Sequence, residues 1–384
     1  MTGRQVVRSL PIGYLIGALD RGGSERQLIE LAAGMAERGH RTVVLCYDGD
    51  GALDSAARER GLTVKTLAGG SKLSKIRVLR EWIGELRPAI LHGFMKRASS
   101  LAVLANLPRR RCRVVASDLS TASYSRSQPV LWLSLGLFGL ADVVATQTEM
   151  NRKSLGLLAP WLRRKTVVIR NGVDTGRFVS RRPRSHDGVV RFVCVGSVYR
   201  VKNPVGVVEA SRLLREANIG GFRVDWYGRK GLGGDDRPSA EFLEAGQLIE
   251  EYGLQDVIVF HGETALIEEA YASADAVLHP SLQEGFPNAV IEAMASRLPV
   301  VVSSVSDLPL IVEAADNGFV CDPHDRASIA AAMRSMIDAG EDKRTAMGER
   351  SRELAWRWFG RERFLDEYEN LYRALAKGSG WRHG

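Results

Sequence analysis

The sequence predicts an α/β protein made of two doubly wound parallel sheets. Short apolar runs alternate with amphipathic helical segments from residue 11 onward. An aperiodic stretch rich in Arg, Ser, Pro and Gly then breaks the alternation once, and the alternation resumes after it. The chain has 384 residues, 45% of them hydrophobic and 26% charged, which suits a globular protein of two or three domains with a sizeable core.

The first strands are expected at PIGYLIGA (11–18), RTVVLCYD (41–48), TVKTLA (63–68) and AILHGF (89–94). RVVASDL (113–119), DVVATQT (142–148) and TVVIRNG (166–172) complete the first half. Their near-continuous apolar character is that of strands covered on both faces. Residues 24–38 read as a helix, with Leu28, Leu31, Ala32 and Met35 on one face. The opening MTGRQVVRSLPIGYLIG is basic, then briefly apolar, without a small-residue cleavage site, so it reads as a first strand and not a signal peptide. The longest apolar run, Val130 to Ala141, has 12 residues and is too short to span a bilayer.

GRFVSRRPRSHDG (176–188) reads as a linker. Further strands follow at RFVCVGSV (191–198), FRVDWYG (222–228), VIVFHG (257–262), AVLHPS (276–281), PVVVSS (299–304) and GFVCDP (318–323). The expected organisation is a first domain over 1–175, a linker over 176–190, a second domain over 191–360 and a final segment over 361–384. Two such sheets would take a ligand at their carboxyl edges.

The net charge of +8 is unevenly divided. Residues 1–172 hold 27 Lys+Arg against 13 Asp+Glu, and the remainder holds 26 against 32. No aromatic-basic interleaving supports nucleic acid as the partner of the basic half. The anionic face of a membrane fits better, with Arg109, Arg110, Arg111 and Arg113 and then Arg163, Arg164 and Lys165 as adhesive clusters. Cys46, Cys112, Cys194 and Cys321 lie far apart without metal-ligand spacing, which predicts buried thiols in a reducing cytoplasm.

Chemistry concentrates in QEGFPNAVIEAMASRLPVV (283–301). Glu284 falls in the loop after a buried strand, and Glu292 about a turn and a half into the next helix. Pro287 suits the first helical position, where its missing N–H costs nothing. The N–H groups of Asn288, Ala289 and Val290 would then point out of the positive end of the helix, which suits a phosphate. Near the first strand, Gly22 and Gly23 open a helix through Ser24 and let the backbone approach a ligand closely. Lys202 lies beyond another strand end in GSVYRVKN, with Asn203 as N-cap and Pro204 as first helical residue.

Four segments, GGSERQLIELA (22–32), NGVD (171–174), VGSVYRVKN (195–203) and EGFPNAVIEAMA (284–295), together resemble the retaining glycosyltransferases of family 4 in order and rough spacing. The resemblance covers nearly the whole chain and includes the family's E-x7-E signature. It implies the GT-B fold, with a last helix near 361–377 crossing back to the first domain. It also implies a metal-independent transfer from a nucleotide-sugar donor, UDP-linked, to a glycan or lipid-linked acceptor, in cell-surface polysaccharide or glycolipid synthesis. No cofactor is expected, and the cytoplasmic face of the membrane is the expected location.

In that reading Glu292 binds the ribose hydroxyls and Glu284 a hydroxyl of the donor sugar. Lys202 carries the positive charge beside the leaving diphosphate. Family members place an arginine where this chain has Ser197, and Arg200 is the candidate replacement. Lys202, Glu284 and Arg200 are thus the catalytic candidates. The donor set adds Gly22, Gly23, Gly285, Phe286, Asn288, Ala289, Val290 and Glu292. Ser24, His92 and Asp118 are the acceptor-side candidates; relatives carry a second histidine where this chain has Phe94. Asp48-Gly49-Asp50 spells the D-x-D of metal-dependent enzymes of another fold, but reads as a turn. Asp235-Asp236 reads as an exposed loop. Two alternatives stay open: an epimerase of the same fold, and a non-catalytic protein that binds nucleotide-sugar or membrane.

Overall fold

The computed structural model describes residues 9–67, 70–118, 129–178, 188–231 and 237–378. The chain separates into two compact units, one formed by the stretch up to Gly172 together with that from Glu362, the other by Val173–Arg361. The expected boundary at 175 lies a few residues inside the second unit. Most of the expected linker, and the Asp235-Asp236 pair, lie outside the described residues.

The first unit begins with β1 (Pro11–Ile16), α1 (Gly23–Glu37), β2 (Arg41–Cys46), α2 (Asp54–Glu59) and β3 (Thr63–Thr66). It continues through α3 (Lys72–Leu86), β4 (Ile90–Phe94), α4 (Met95–Asn106) and β5 (Arg113–Asp118). α5 (Pro129–Leu140), β6 (Val143–Thr146), α6 (Glu149–Leu158) and β7 (Thr166–Val168) complete the alternation. The strands form one parallel sheet in the order β3-β2-β1-β4-β5-β6-β7. Its direction of winding reverses between β1 and β4, which pair in register from Ile12 with Ile90 to Leu15 with Gly93.

The second unit runs β8 (Val190–Val195), α7 (Pro204–Glu216), β9 (Phe222–Tyr227), α8 (Ala240–Glu251), β10 (Ile258–Gly262) and α9 (Ile267–Ala272). β11 (Ala276–His279), α10 (Asn288–Ala295), β12 (Val300–Ser303), α11 (Leu308–Ala315) and β13 (Gly318–Cys321) follow, then α12 (Arg326–Asp338) and α13 (Gly340–Phe359). Its parallel sheet has the order β10-β9-β8-β11-β12-β13, reversing between β8 and β11. β8 begins at Val190, inside the stretch expected to be linker.

Each sheet buries both faces, which is why its strands read as unbroken apolar runs. The last helix, α14 (Arg361–Ala376), belongs to the first unit. Phe364, Leu365, Tyr368, Leu371, Tyr372 and Leu375 recur at helical spacing along it and enter the core beneath α1. Gly34 on α1 permits that contact, since a Cβ there would lie 2.4 Å from Leu365 Cδ2. Arg38 fastens the helix further, bonding Glu362, Asp366 and Glu369 at 2.7, 2.8 and 2.9 Å.

All four cysteines are buried free thiols. Among the described residues no helix is long and apolar enough to cross a membrane, and Val130 to Ala141 forms α5 and the turn after it.

Candidate active site at a strand switch point

The β8 and β11 ends of the second sheet flank its topological switch point, where open α/β sheets hold ligands. Two loops meet there. The chain leaves β8 through Gly196, whose φ of +143° suits glycine, and turns back as a short 3₁₀ segment, Arg200–Lys202. A side chain at 196 would meet the Lys202 stem, 3.2 Å from its Cε. Val198 N–H donates to Arg229 O at 2.7 Å, and Leu282 N–H donates to Val201 O at 2.8 Å, binding the turn to the loop after β11. Asn203 is left-handed, with φ +62°. It occupies the N-cap position of α7, but its side chain caps nothing. Instead the amide donates to Pro280 O at 3.1 Å and Pro323 O at 2.8 Å, tying together loops after β8, β11 and β13.

This scaffold brings Lys202 Nζ to 2.5 Å from Glu284 Oε1. His279, the last residue of β11, places Nε2 2.8 Å from the same oxygen, with Ser281 Oγ 3.1 Å from that nitrogen. Both bonds fall on Oε1; Oε2 carries none among the described residues. Burial by itself would raise the Glu284 carboxyl, but the Lys202 charge and the His279 hydrogen bond overcome it and hold the group well below the usual carboxylate range. Burial and the Lys202 charge lower His279, so the imidazole is neutral at neutral pH and can donate to the carboxylate. The result is a fixed anion against a fixed cation, both partly shielded from water, with side-chain exposures of 10% for Glu284 and 18% for Lys202.

Glu292 lies on the same helix start. α10 begins at Asn288, with Pro287 as its N-cap and not its first residue. The Val290 N–H closes on Pro287 O at 3.2 Å and is therefore spent inside the chain, unlike the expectation that it would face a phosphate. Glu292 is half-buried, its Oε2 3.0 Å from the Tyr271 hydroxyl, which also lies 3.1 Å from Ala289 O. Tyr271 is fully buried on α9 and braced edge-on by Phe178. Gly285 O accepts from Ser306 Oγ at 2.5 Å, fixing the loop between the two carboxylates.

Other expected residues distribute unevenly. Phe286 is buried against Phe359, ring centroids 5.2 Å apart, and Val290 is also wholly buried. Their side chains are core, not donor contacts. Arg200 is exposed and forms no ion pair among the described residues. In the first unit, Gly22 is the N-cap of α1, with Gly23 and Ser24 opening the helix. The close approach at Gly22 is to Glu25, whose Oε2 would lie 2.1 Å from an added Cβ. Asp118 ends β5, fully buried, its carbonyl accepting from Asn151 Nδ2 at 3.1 Å.

His92 departs most from expectation. It is fully buried, Nδ1 2.7 Å from the Tyr372 hydroxyl and Nε2 2.6 Å from Ser117 Oγ, within a cluster of Tyr14, Phe94 and Tyr368 rings. Both ring nitrogens are engaged, and none of the ring reaches solvent, so it is a core residue and not an acceptor contact. Asp48 of the D-x-D triplet bonds Lys75 Nζ at 2.5 Å.

Sequence reasoning missed His279, Ser281 and Tyr271. The signal for His279 was present, since a histidine closes an otherwise apolar strand in AVLHPS, five residues before Glu284. Tyr271 gave none, because a tyrosine on an apolar helix face looks like any core aromatic.

The arrangement matches known families. The description of glycosyl transferases group 1 fits residues 178–354, and that of Glycosyltransferase Family 4 fits residues 21–177. The N-acetyl-alpha-D-glucosaminyl L-malate synthase of Bacillus anthracis is 30% identical over 132 residues, 34% of this chain and 34% of its own length. The D-inositol 3-phosphate glycosyltransferase of Corynebacterium kroppenstedtii is 32% identical over 205 residues, 52% of this chain and 43% of its own length. The matched stretches thus span less than half of these relatives. Anabaena Alr3699/HepE, solved in complex with UDP-glucose, shares the fold with a TM-score of 0.82 at 19% identity, over 95% of this chain and 100% of that one. Two matched descriptions that together run from residue 21 to residue 354 place this chain among the group 1, family 4 glycosyltransferases.

Proposed function

We propose that the protein transfers a sugar from a UDP-linked donor to a hydroxyl of a glycan or lipid-linked acceptor, retaining the anomeric configuration, in the synthesis of cell-surface polysaccharide or glycolipid. One observation carries the reading: Lys202, Glu284 and His279 converge at the switch point of the second sheet, with Glu292 on the helix that follows. The UDP-glucose complex of the Anabaena protein supports the donor class, and the D-inositol 3-phosphate glycosyltransferase among the relatives supports sugar transfer.

In this reading Lys202 faces the diphosphate, whose charge grows as the glycosidic bond breaks. A cation already oriented by Glu284 stabilises that charge without reorganising at the moment of reaction. Glu284 stays ionised and turns Oε2 to a sugar hydroxyl, while His279 holds Oε1. Glu292, steadied by Tyr271, accepts from the ribose hydroxyls. Arg200 is the second cation available to the diphosphate. No role falls to a metal ion, because cationic side chains and helix amides meet the charge. The acceptor hydroxyl attacks the face from which the UDP departs, and the departing diphosphate takes up its proton.

The test is UDP release over a panel of UDP- and GDP-sugars, with and without lipid extract, against a Lys202→Ala control. Acceptor-dependent UDP release from one UDP-sugar supports the reading. Release of free sugar without any acceptor dependence would replace it with an epimerase or hydrolase.

A further inference from the structure

The first unit carries an apolar surface for which the donor chemistry has no use. α5, PVLWLSLGLFGL, is apolar on every side, yet only Leu131, Leu135, Leu137 and Phe138 are buried. Val130, Trp132, Leu133 and Leu140 stand 72%, 41%, 66% and 45% exposed. Trp161, itself exposed, lies against this helix, its indole N–H donating to Leu135 O at 3.3 Å and its ring beside Gly139. An ordinary surface helix is apolar along one stripe only, so a helix apolar all round with half its large side chains in water implies a second apolar phase.

The rim is basic. Arg110 donates to Leu140 O at 2.9 Å, and Lys165 Nζ to Gly139 O and Ala141 O at 2.7 and 2.9 Å, closing the carboxyl end of α5. Exposed Arg109 and Arg164 flank these two residues in sequence, and neither has a partner among the described residues. The expectation that all seven basic residues of both clusters serve as adhesive therefore narrows: Arg110, Arg113, Arg163 and Lys165 are engaged within the unit, Arg113 with Asp142 at 3.0 Å and Arg163 with Gly156 O at 2.8 Å.

We propose that α5 and Trp161 dock on an anionic lipid surface, with Trp132, Leu133 and Trp161 entering the headgroup boundary and Arg109 and Arg164 meeting the headgroup phosphates. Charge complementarity selects this occupant. An apolar patch alone would suit another protein, but tryptophans at the edge of an apolar helix with an arginine rim match the two phases of a lipid interface.

The experiment is flotation of the full chain with phosphatidylcholine vesicles, with and without phosphatidylglycerol, while tryptophan emission is recorded. Binding to anionic vesicles, with a blue shift, is expected, weakening at least tenfold as salt rises. Trp132→Ser with Leu133→Ser should abolish binding and the shift while leaving UDP affinity and thermal stability unchanged. Arg109→Glu with Arg164→Glu should weaken anionic binding at least tenfold at low salt. Equal partitioning onto both vesicle types, no binding to either, or a serine variant that still binds would overturn the proposal. So would a wild type that self-associates in size-exclusion chromatography and becomes monomeric in the serine variant. UDP release needs no vesicle, so failure here leaves the donor reading standing, and the reverse holds too.

Discussion

The two sheets share a winding order, and each has a histidine in the strand that opens the second half of the order, His92 in β4 and His279 in β11. Both are buried, and burial pushes both imidazoles below their ordinary value, His92 to about 3. They differ in what covers them. Tyr368 and Tyr372 of α14 cover His92, and hydroxyls take up both its nitrogens. His279 faces Lys202 and Glu284, a charged pair in a partly open loop cluster. A switch point is therefore an opportunity for chemistry, and the side chains that arrive over it decide whether it becomes a core or a site.

The largest expected effect tests the site half of that comparison. Lys202→Ala should lower turnover by about 10²–10³ while weakening donor binding less, because the diphosphate charge it meets is greatest in the transition state. A loss under threefold in kcat would reduce Lys202 to a structural partner of Glu284.

Glu292→Ala should weaken UDP binding roughly ten- to a hundredfold, equal to about 1.5–3 kcal/mol for a charge-assisted hydrogen bond. Calorimetry on the folded variant gives the answer, and unchanged affinity would remove Glu292 from the ribose.

The two histidines can then be set against each other. His279→Ala should lower kcat roughly tenfold through a loosened Glu284, at little cost in stability. His92→Phe should leave kcat and KM alone but destabilise the first unit by about 1–3 kcal/mol, since the Ser117 and Tyr372 hydroxyls lose their partner. Interchanged outcomes would invert the assignment of core and site.

The last effect is the pH dependence. The folded state holds His92 unprotonated down to about pH 3, whereas an unfolded histidine takes its proton near 6.5. The unfolded chain then binds more protons, so stability from His92 is complete above about pH 6.5 and falls by up to about 1.4 kcal/mol per pH unit below it. Glu284 has the same sign at lower pH, its contribution being lost only below the ordinary carboxylate range. Denaturant melts of the first unit at pH 7 and pH 5 should show a loss that shrinks in His92→Phe. An identical loss in both would show that other groups set the acid sensitivity.

Much of this was legible in advance for identifiable reasons. Apolar strands alternating with amphipathic helices define a parallel sheet, and the strands were placed within a few residues. Glu284, Glu292 and Lys202 stood out because the segments that carry them resemble those of the family 4 glycosyltransferases, with Glu284 and Lys202 in loops after apolar strands and Glu292 in the helix that follows. The side chains of Phe286 and Val290 pack into the core, because a motif names positions while packing decides which side chains face inward. Pro287 stands one residue outside the helix, its ψ of 113° being extended and not helical.

The sequence by itself determined the fold class, the strand order's raw material, the +8 charge with its uneven division, and the spacing of the two carboxylates. These follow from local periodicity and composition, which need no partner. Only tertiary structure decided that His279 joins Lys202 and Glu284, that Asn203 ties three loops together instead of capping its helix, and that His92 disappears beneath α14. Lys202 stands 82 residues from Glu284, Asn203 77 and 120 residues from the carbonyls it ties, and His92 280 residues from Tyr372, so no local window contains these partners.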